Sequence, residues 1–210
     1  MNTFLADILA QPAALCQVLQ EKTTLEMAEI DAGAQLLSAS PRIVLTSMGS
    51  ALYSLMPMAH ALAAVHPNVH LVETAELMRA PLFPATLYVI MSRSGESGEI
   101  KEFSNTLNAQ GKPLIAITMT RTSTLAKNAS LVIGDSAPYD GFICTKAYTS
   151  LALIGLLLVS RWRDELSPAL ISQIGSSFDW MEGNQKSILS SIEGIAWLGS
   201  SLTFLARGAG

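Results

Sequence analysis

The sequence predicts an α/β fold, a three-layer α/β/α sandwich built on a five-stranded parallel sheet. Short apolar runs rich in β-branched residues alternate with helix-length segments along the chain. Those runs lack the in–out alternation of half-exposed strands, which places helices on both faces of the sheet. Half of the 210 residues are apolar and only 14% are charged, enough to bury one large core.

Taken in order, Leu15, Val18, Leu19, Leu25, Ala28, Leu36 and Leu37 recur at helical spacing, and Pro12 is tolerated in a first turn. Pro41 ends the pattern, so residues 1–40 form a helical arm. The first strand is Arg42-Ile43-Val44-Leu45-Thr46, which passes through Ser47-Met48-Gly49-Ser50 into a helix expected over residues 51–65. Val69-His70-Leu71-Val72 is the second strand. Thr86-Leu87-Tyr88-Val89-Ile90-Met91 is the third, followed by residues 92–98 and a helix running to about residue 110. After the Gly111-Lys112-Pro113 turn, Leu114-Ile115-Ala116-Ile117-Thr118 and Leu131-Val132-Ile133 complete the sheet. Right-handed crossovers make it parallel.

A long apolar helix follows over residues 145–162. Lys146 and Arg161 bound its apolar stretch at about 14 residues, roughly 21 Å, which is short of a hydrocarbon core of roughly 30 Å. It is therefore a buried helix and not a membrane span. The core lobe covers residues 41–165, and a linking helix covers 166–198. Ser201-Leu202-Thr203-Phe204-Leu205-Ala206 reads as a strand entering Arg207-Gly208. Overlaying Ile43 on Leu202, Leu45 on Phe204 and Gly49 on Gly208 makes residues 199–210 the expected opening of a second, incomplete lobe. An ordinary edge strand is the alternative.

Composition excludes several functions. Net charge is −4, and the 13 lysines and arginines are scattered, so no basic surface exists to displace counterions from nucleic acid. The first lysine is Lys22, so there is no basic leader segment. A cytoplasmic protein without membrane contact follows. Cys16 and Cys144 make no disulfide framework, and His60, His66 and His70 share no helical face, so neither a metal nor a cofactor is expected.

Ligands of open α/β sheets sit at the carboxyl ends of the strands, which directs attention to three loops. In the first, Gly49 permits a tight turn and Ser50 offers a hydroxyl at a helix start, although a plain N-cap explains it equally well. The second is Ser92-Arg93-Ser94-Gly95-Glu96-Ser97-Gly98. Its hydroxyls, together with the free N–H groups of the next helix, can wrap a phosphate without a lysine. A carboxylate beside a phosphate repels it, so Glu96 is expected to point away and bond nearby amides. The third is Tyr139-Asp140-Gly141-Phe142-Ile143-Cys144-Thr145-Lys146. There Cys144 reads as a small packing residue rather than a nucleophile, and Lys146 as a solvated first-turn residue. Trp162, Trp180 and Trp197 are expected to anchor helices in the core.

In order and spacing, Gly49-Ser50, Ser92-Arg93-Ser94-Gly95-Glu96-Ser97 and Thr145-Lys146-Ala147-Tyr148-Thr149 resemble the sugar isomerase (SIS) domain, a flavodoxin-like fold. The likeness is closest to the isomerase half of glucosamine-6-phosphate synthase and to its glutaminase-free isomerase and deaminase relatives. It implies that Ser92, Ser94 and Ser97 hold a sugar phosphate, with Gly95 shaping their loop. Arg93 stands where the family often has glutamine, and Ser50 matches a sugar-contacting hydroxyl beside Gly49. Phe142 and Cys144 match positions that line the ligand. Ala51 and Cys144 replace hydroxyls of the family pattern. The resemblance also implies that the catalytic glutamate and ring-opening histidine belong to a second lobe, so no catalytic residue is assigned here. The expected ligand is a hexose 6-phosphate such as fructose 6-phosphate or glucosamine 6-phosphate, and the expected assembly is a homodimer. The alternative role is a non-catalytic phosphosugar-sensing module. A DNA-binding regulator would need a basic helical segment, and the arm offers only Lys22.

Overall fold

Five apolar strands, β1 (Arg42–Ser47), β2 (Val69–Glu73), β3 (Thr86–Ser92), β4 (Leu114–Thr118) and β5 (Leu131–Gly134), pair in parallel in the order β2-β1-β3-β4-β5. The structure is a computed structural model and describes residues 3–141 and 143–193. Phe142, Trp197 and the strand expected over 201–206 lie outside the described residues.

Alternate side chains of each strand feed two cores, which is why the sequence shows continuous apolar runs. Ile43, Leu45, Leu87, Val89, Met91, Ile115, Ile117 and Ile133 fill one face. They pack against α2 (Gln11–Thr23), α3 (Met27–Ala39), α5 (Met56–Ala63) and α9 (Lys146–Trp162). Val44, Tyr88, Ile90, Leu114 and Ala116 fill the other face. There they meet α6 (Thr74–Leu77), α7 (Gly98–Ala109) and α8 (Thr124–Asn128) through Leu77, Ile100, Phe103, Leu107 and Leu125. α1 (Thr3–Leu9), α4 (Ser50–Ser54) and α10 (Pro168–Glu193) complete the described elements. α10 sends Ile171, Ile174 and Phe178 against the first core.

The helix expected over residues 51–65 is two helices, α4 and α5, separated at Leu55. Pro57, in the first turn of α5, has no N–H to return to Tyr53, so the ladder breaks there. Trp162 packs against the core as expected, whereas Trp180 is 61% exposed on α10 and anchors nothing.

Charge joins the arm to the sheet. Lys22, fully buried, pairs with Glu26 and Glu29, and Arg121 after β4 bridges the same two carboxylates. Glu29 also accepts from the Gly134 amide at 3.1 Å, at the end of β5. Nearby, buried Asp135 accepts from Ser150 Oγ at 2.6 Å and from the Ala137 amide at 2.9 Å. Burial raises the Asp135 carboxyl above its ordinary range, and these two hydrogen bonds oppose that shift.

A carboxyl whose folded-state pKa is raised binds a proton more tightly folded than unfolded. Stability is therefore lost as pH rises through the folded value. Asp135→Asn keeps an acceptor for Ala137 and removes the buried charge. Its melting temperature at neutral pH should equal or exceed the wild type's. That advantage should shrink as the pH of thermal unfolding is lowered, and an advantage that grows instead would contradict this account.

Candidate functional site

The β1–β3 pair is where the chain's crossovers diverge, β2 being laid to one side and β4 and β5 to the other. The loops leaving β1 and β3 therefore stand side by side at the carboxyl edge of the sheet, at the position where such sheets open a crevice. Ser47 Oγ donates to the Met91 carbonyl and fastens the two strand ends together.

Gly49 (φ +59°, ψ −137°) makes the turn into α4 in a backbone region nearly closed to other residues, with open space where a β-carbon would go. Ser50 follows, exposed, as the first residue of α4. On the neighbouring loop Ser92 is buried, and its hydroxyl oxygen accepts from the Gly95 amide at 3.0 Å. Ser94 Oγ accepts from the Glu96 amide at 3.2 Å. Both hydroxyls keep their own protons, Ser92 in a buried position and Ser94 in a half-buried one. Ser97 is the N-cap of α7, yet its side chain makes no capping bond, and it is exposed. The amides of the first turn of α7 have no acceptor within their helix. Together with the exposed Ser97 hydroxyl they form a surface of donors carrying the positive end of a twelve-residue helix.

Gly95 has φ +64°, and a β-carbon there would lie 2.3 Å from Ser123 Oγ and 2.7 Å from Ser123 Cβ. Both backbone and space require glycine. Glu96 turns aside as expected. Its Oε1 accepts from the Thr124 amide at 2.6 Å and its Oε2 from Thr124 Oγ1 at 3.2 Å, with Lys101 Nζ at 3.5 Å. The Thr124 amide holds the Glu96 carboxyl below the ordinary carboxylate range; slight burial opposes it, and the Thr124 hydroxyl and Lys101 add to it. The half-buried Arg93 guanidinium lies 5.7 Å from the centre of the Tyr139 ring.

In the third loop, half-exposed Cys144 precedes α9 as a free thiol. Lys146 is not solvated. It is buried and pairs with Asp7 of α1 at 2.9 Å, while the other Asp7 oxygen accepts from the Gly141 amide at 2.8 Å. Burying a lysine requires such a counter-charge, and sequence spacing gave no sign of a partner so far away. Asp140 also went unnoticed. Its carboxylate accepts from the Thr145 hydroxyl and the Lys146 and Ala147 amides at 2.8–3.1 Å, which caps α9. An aspartate shortly before a long apolar helix was the available signal.

The described residues contain no group of three metal-ligating side chains and no helix long and apolar enough to cross a membrane. Cavities of about 540 and 360 Å³ lie elsewhere, beside Arg161 and between α9 and α10, so the serine loop stands on the open edge of the sheet and outside both.

A parallel sheet with a switch point between β1 and β3, and a hydroxyl- and amide-lined loop there, defines a doubly wound α/β domain. The SIS domain family model matches residues 36–160, and the chain belongs to that family. Among solved structures it is similar to glucosamine-6-phosphate deaminase from Thermotoga maritima (TM-score 0.74, 17% identity, covering 92% of this chain and 58% of that one). It is also similar to the C-terminal domain of glucosamine-fructose-6-phosphate aminotransferase from Francisella tularensis (TM-score 0.71, 17% identity, 90% and 56%). A third likeness is the sugar isomerase domain of the RpiR transcription factor from Sphaerobacter thermophilus (TM-score 0.62, 16% identity, 92% and 97%). The chain thus spans little more than half the length of the first two. No curated protein sequence matches it.

Gly95→Ala is expected to cost about 2–4 kcal/mol, from left-handed strain plus the Ser123 clash. Gly49→Ala carries backbone strain alone, about 1–3 kcal/mol. Urea unfolding of the two variants tests the order, and a Gly95 variant as stable as the wild type would show that the loop tolerates a β-carbon.

Proposed function

We propose that this chain binds the phosphate of a hexose 6-phosphate, such as fructose 6-phosphate or glucosamine 6-phosphate, on the loop from Ser92 to Ser97. The parent activity is that of an aldose–ketose isomerase or amino-sugar-phosphate deaminase. The observation that carries this reading is the disposition of that loop: hydroxyls and first-turn amides of α7 on the open edge of the sheet, with the Glu96 carboxylate drawn off onto Thr124. In this reading Ser50 and Gly49, one strand away across the switch point, meet the sugar, and Arg93, Cys144 and Phe142 are the remaining proposed contacts.

The loop supplies anchoring and no proton transfer, because its one carboxylate is committed to Thr124 and Lys101. Binding energy from the phosphate would position the reacting carbons for groups elsewhere. A phosphosugar-sensing role without catalysis is the second reading, supported by the likeness to the RpiR sugar isomerase domain, nearly all of whose length is covered. Exposed Leu156, Trp180, Met181 and Ile188 on α9 and α10 support assembly with a second copy of the chain. The free thiols of Cys16 and Cys144 suit a reducing cytoplasm.

Ser94→Ala with Ser97→Ala should weaken hexose 6-phosphate binding by about 1–3 kcal/mol in calorimetry. Equal affinity for wild type and double variant would remove the phosphate role. Sedimentation at micromolar concentration should show a dimer, and a clean monomer would refute the assembly.

A further inference from the structure

The serine loop does not hold its shape alone. Besides the Ser92 and Ser94 hydroxyls that accept from its own amides, it is held by the corner between β4 and α8, residues 118–125. Thr118 Oγ1 and Thr120 Oγ1 both donate to the Arg93 carbonyl, at 3.3 and 3.4 Å. Ser123 fills the space beside Gly95 that any larger residue would need. The Leu125 amide donates to the Gly95 carbonyl at 3.2 Å. The Thr124 amide and hydroxyl take both oxygens of Glu96. On its far side the same corner is tied to α3 through Arg121 and Glu29, at 2.6 Å.

We propose that this corner is the positioning element of the anion loop, and that the Glu96–Thr124 clamp is its decisive contact. The inference rests on the anion-binding reading of the loop. The clamp does two things at once. It orients the backbone on either side of Glu96, within the stretch that runs from Ser94 to Ser97. It also neutralises the hydrogen-bonding capacity of a carboxylate that would otherwise compete with an incoming anion for the same amides. Glu96 and Thr124 touch no ligand in this scheme; they act through the backbone between Ser94 and Ser97.

The geometry of α8 allows a clean test. Thr124 is the first residue of that helix, where proline is well tolerated, and Ser123 before it is extended (φ −66°, ψ 164°), the conformation a following proline favours. Thr124→Pro therefore deletes both donors without breaking the helix, and the Ser123 cap to the Ala126 amide at 3.2 Å stays in place. Glu96→Ala deletes the acceptor, and Glu96→Gln keeps an acceptor while removing the charge.

Titrating fructose 6-phosphate by calorimetry, Thr124→Pro and Glu96→Ala should each weaken binding about tenfold with little change in melting temperature, since the clamp lies at the surface. The double variant should be no worse than either single one, because each acts through the other. Glu96→Gln should bind at or above wild-type affinity. Unchanged affinity in both deletions, additive losses, or a Glu96→Gln loss equal to that of Glu96→Ala would overturn the proposal. Should the wild type bind no hexose 6-phosphate, the functional reading fails. Amide hydrogen exchange in the free protein then decides the positioning role: faster exchange at Gly95 and Glu96 in Thr124→Pro supports it, and unchanged exchange refutes it.

Discussion

At Gly95 the backbone turns left-handed with the Ser123 side chain where a β-carbon would sit, and the surrounding architecture converges on that contact. β3 is the central strand, buried on both faces, so the loop it releases starts from a rigid edge. β4 lies beside it and delivers the corner that Gly95 leans on. The corner in turn is fastened by Arg121 to Glu26 and Glu29 on the arm. A donor surface on an open sheet edge is useful only if its amides already point outward before a ligand arrives. Here that preorganisation comes from packing between neighbouring strand ends together with the loop's own serine–amide bonds.

What could be read from the residues and what could not divides along sequence distance. Runs such as Thr86-Leu87-Tyr88-Val89-Ile90-Met91 declared strands buried on both faces, because alternate side chains enter two different cores. The excess of serines over what one helix cap uses marked the loop after β3, and the repulsion between Glu96 and an anion was enough to expect that the carboxylate turns away. The partner it turns to, Thr124, is 28 residues on, and nothing in the spacing pointed there. The short helices α6 and α8 left no periodic trace, since four or five residues do not complete a pattern. Lys146 looked solvated because its counter-charge, Asp7, lies 139 residues earlier. Trp180 looked like a core anchor because size alone does not say which side of a helix faces the sheet.

The two levels of description also differ in what carries them. The layered sheet follows from apolar pattern and crossover handedness, and solved structures at 16–17% identity are similar to it in fold. Those neighbours include a deaminase, an aminotransferase domain and a regulator's sugar isomerase domain, so the fold by itself does not set an activity.

The buried pairing of Lys146 with Asp7 has a consequence for how the molecule is made. Synthesis proceeds from the amino end, so α1 is made well before α9, the helix that carries its buried partner. The arm therefore waits for that partner while the five described strands are made. A lysine that closes into the interior then depends on the docking of a segment 139 residues earlier, which makes that docking a late, long-range step in maturation.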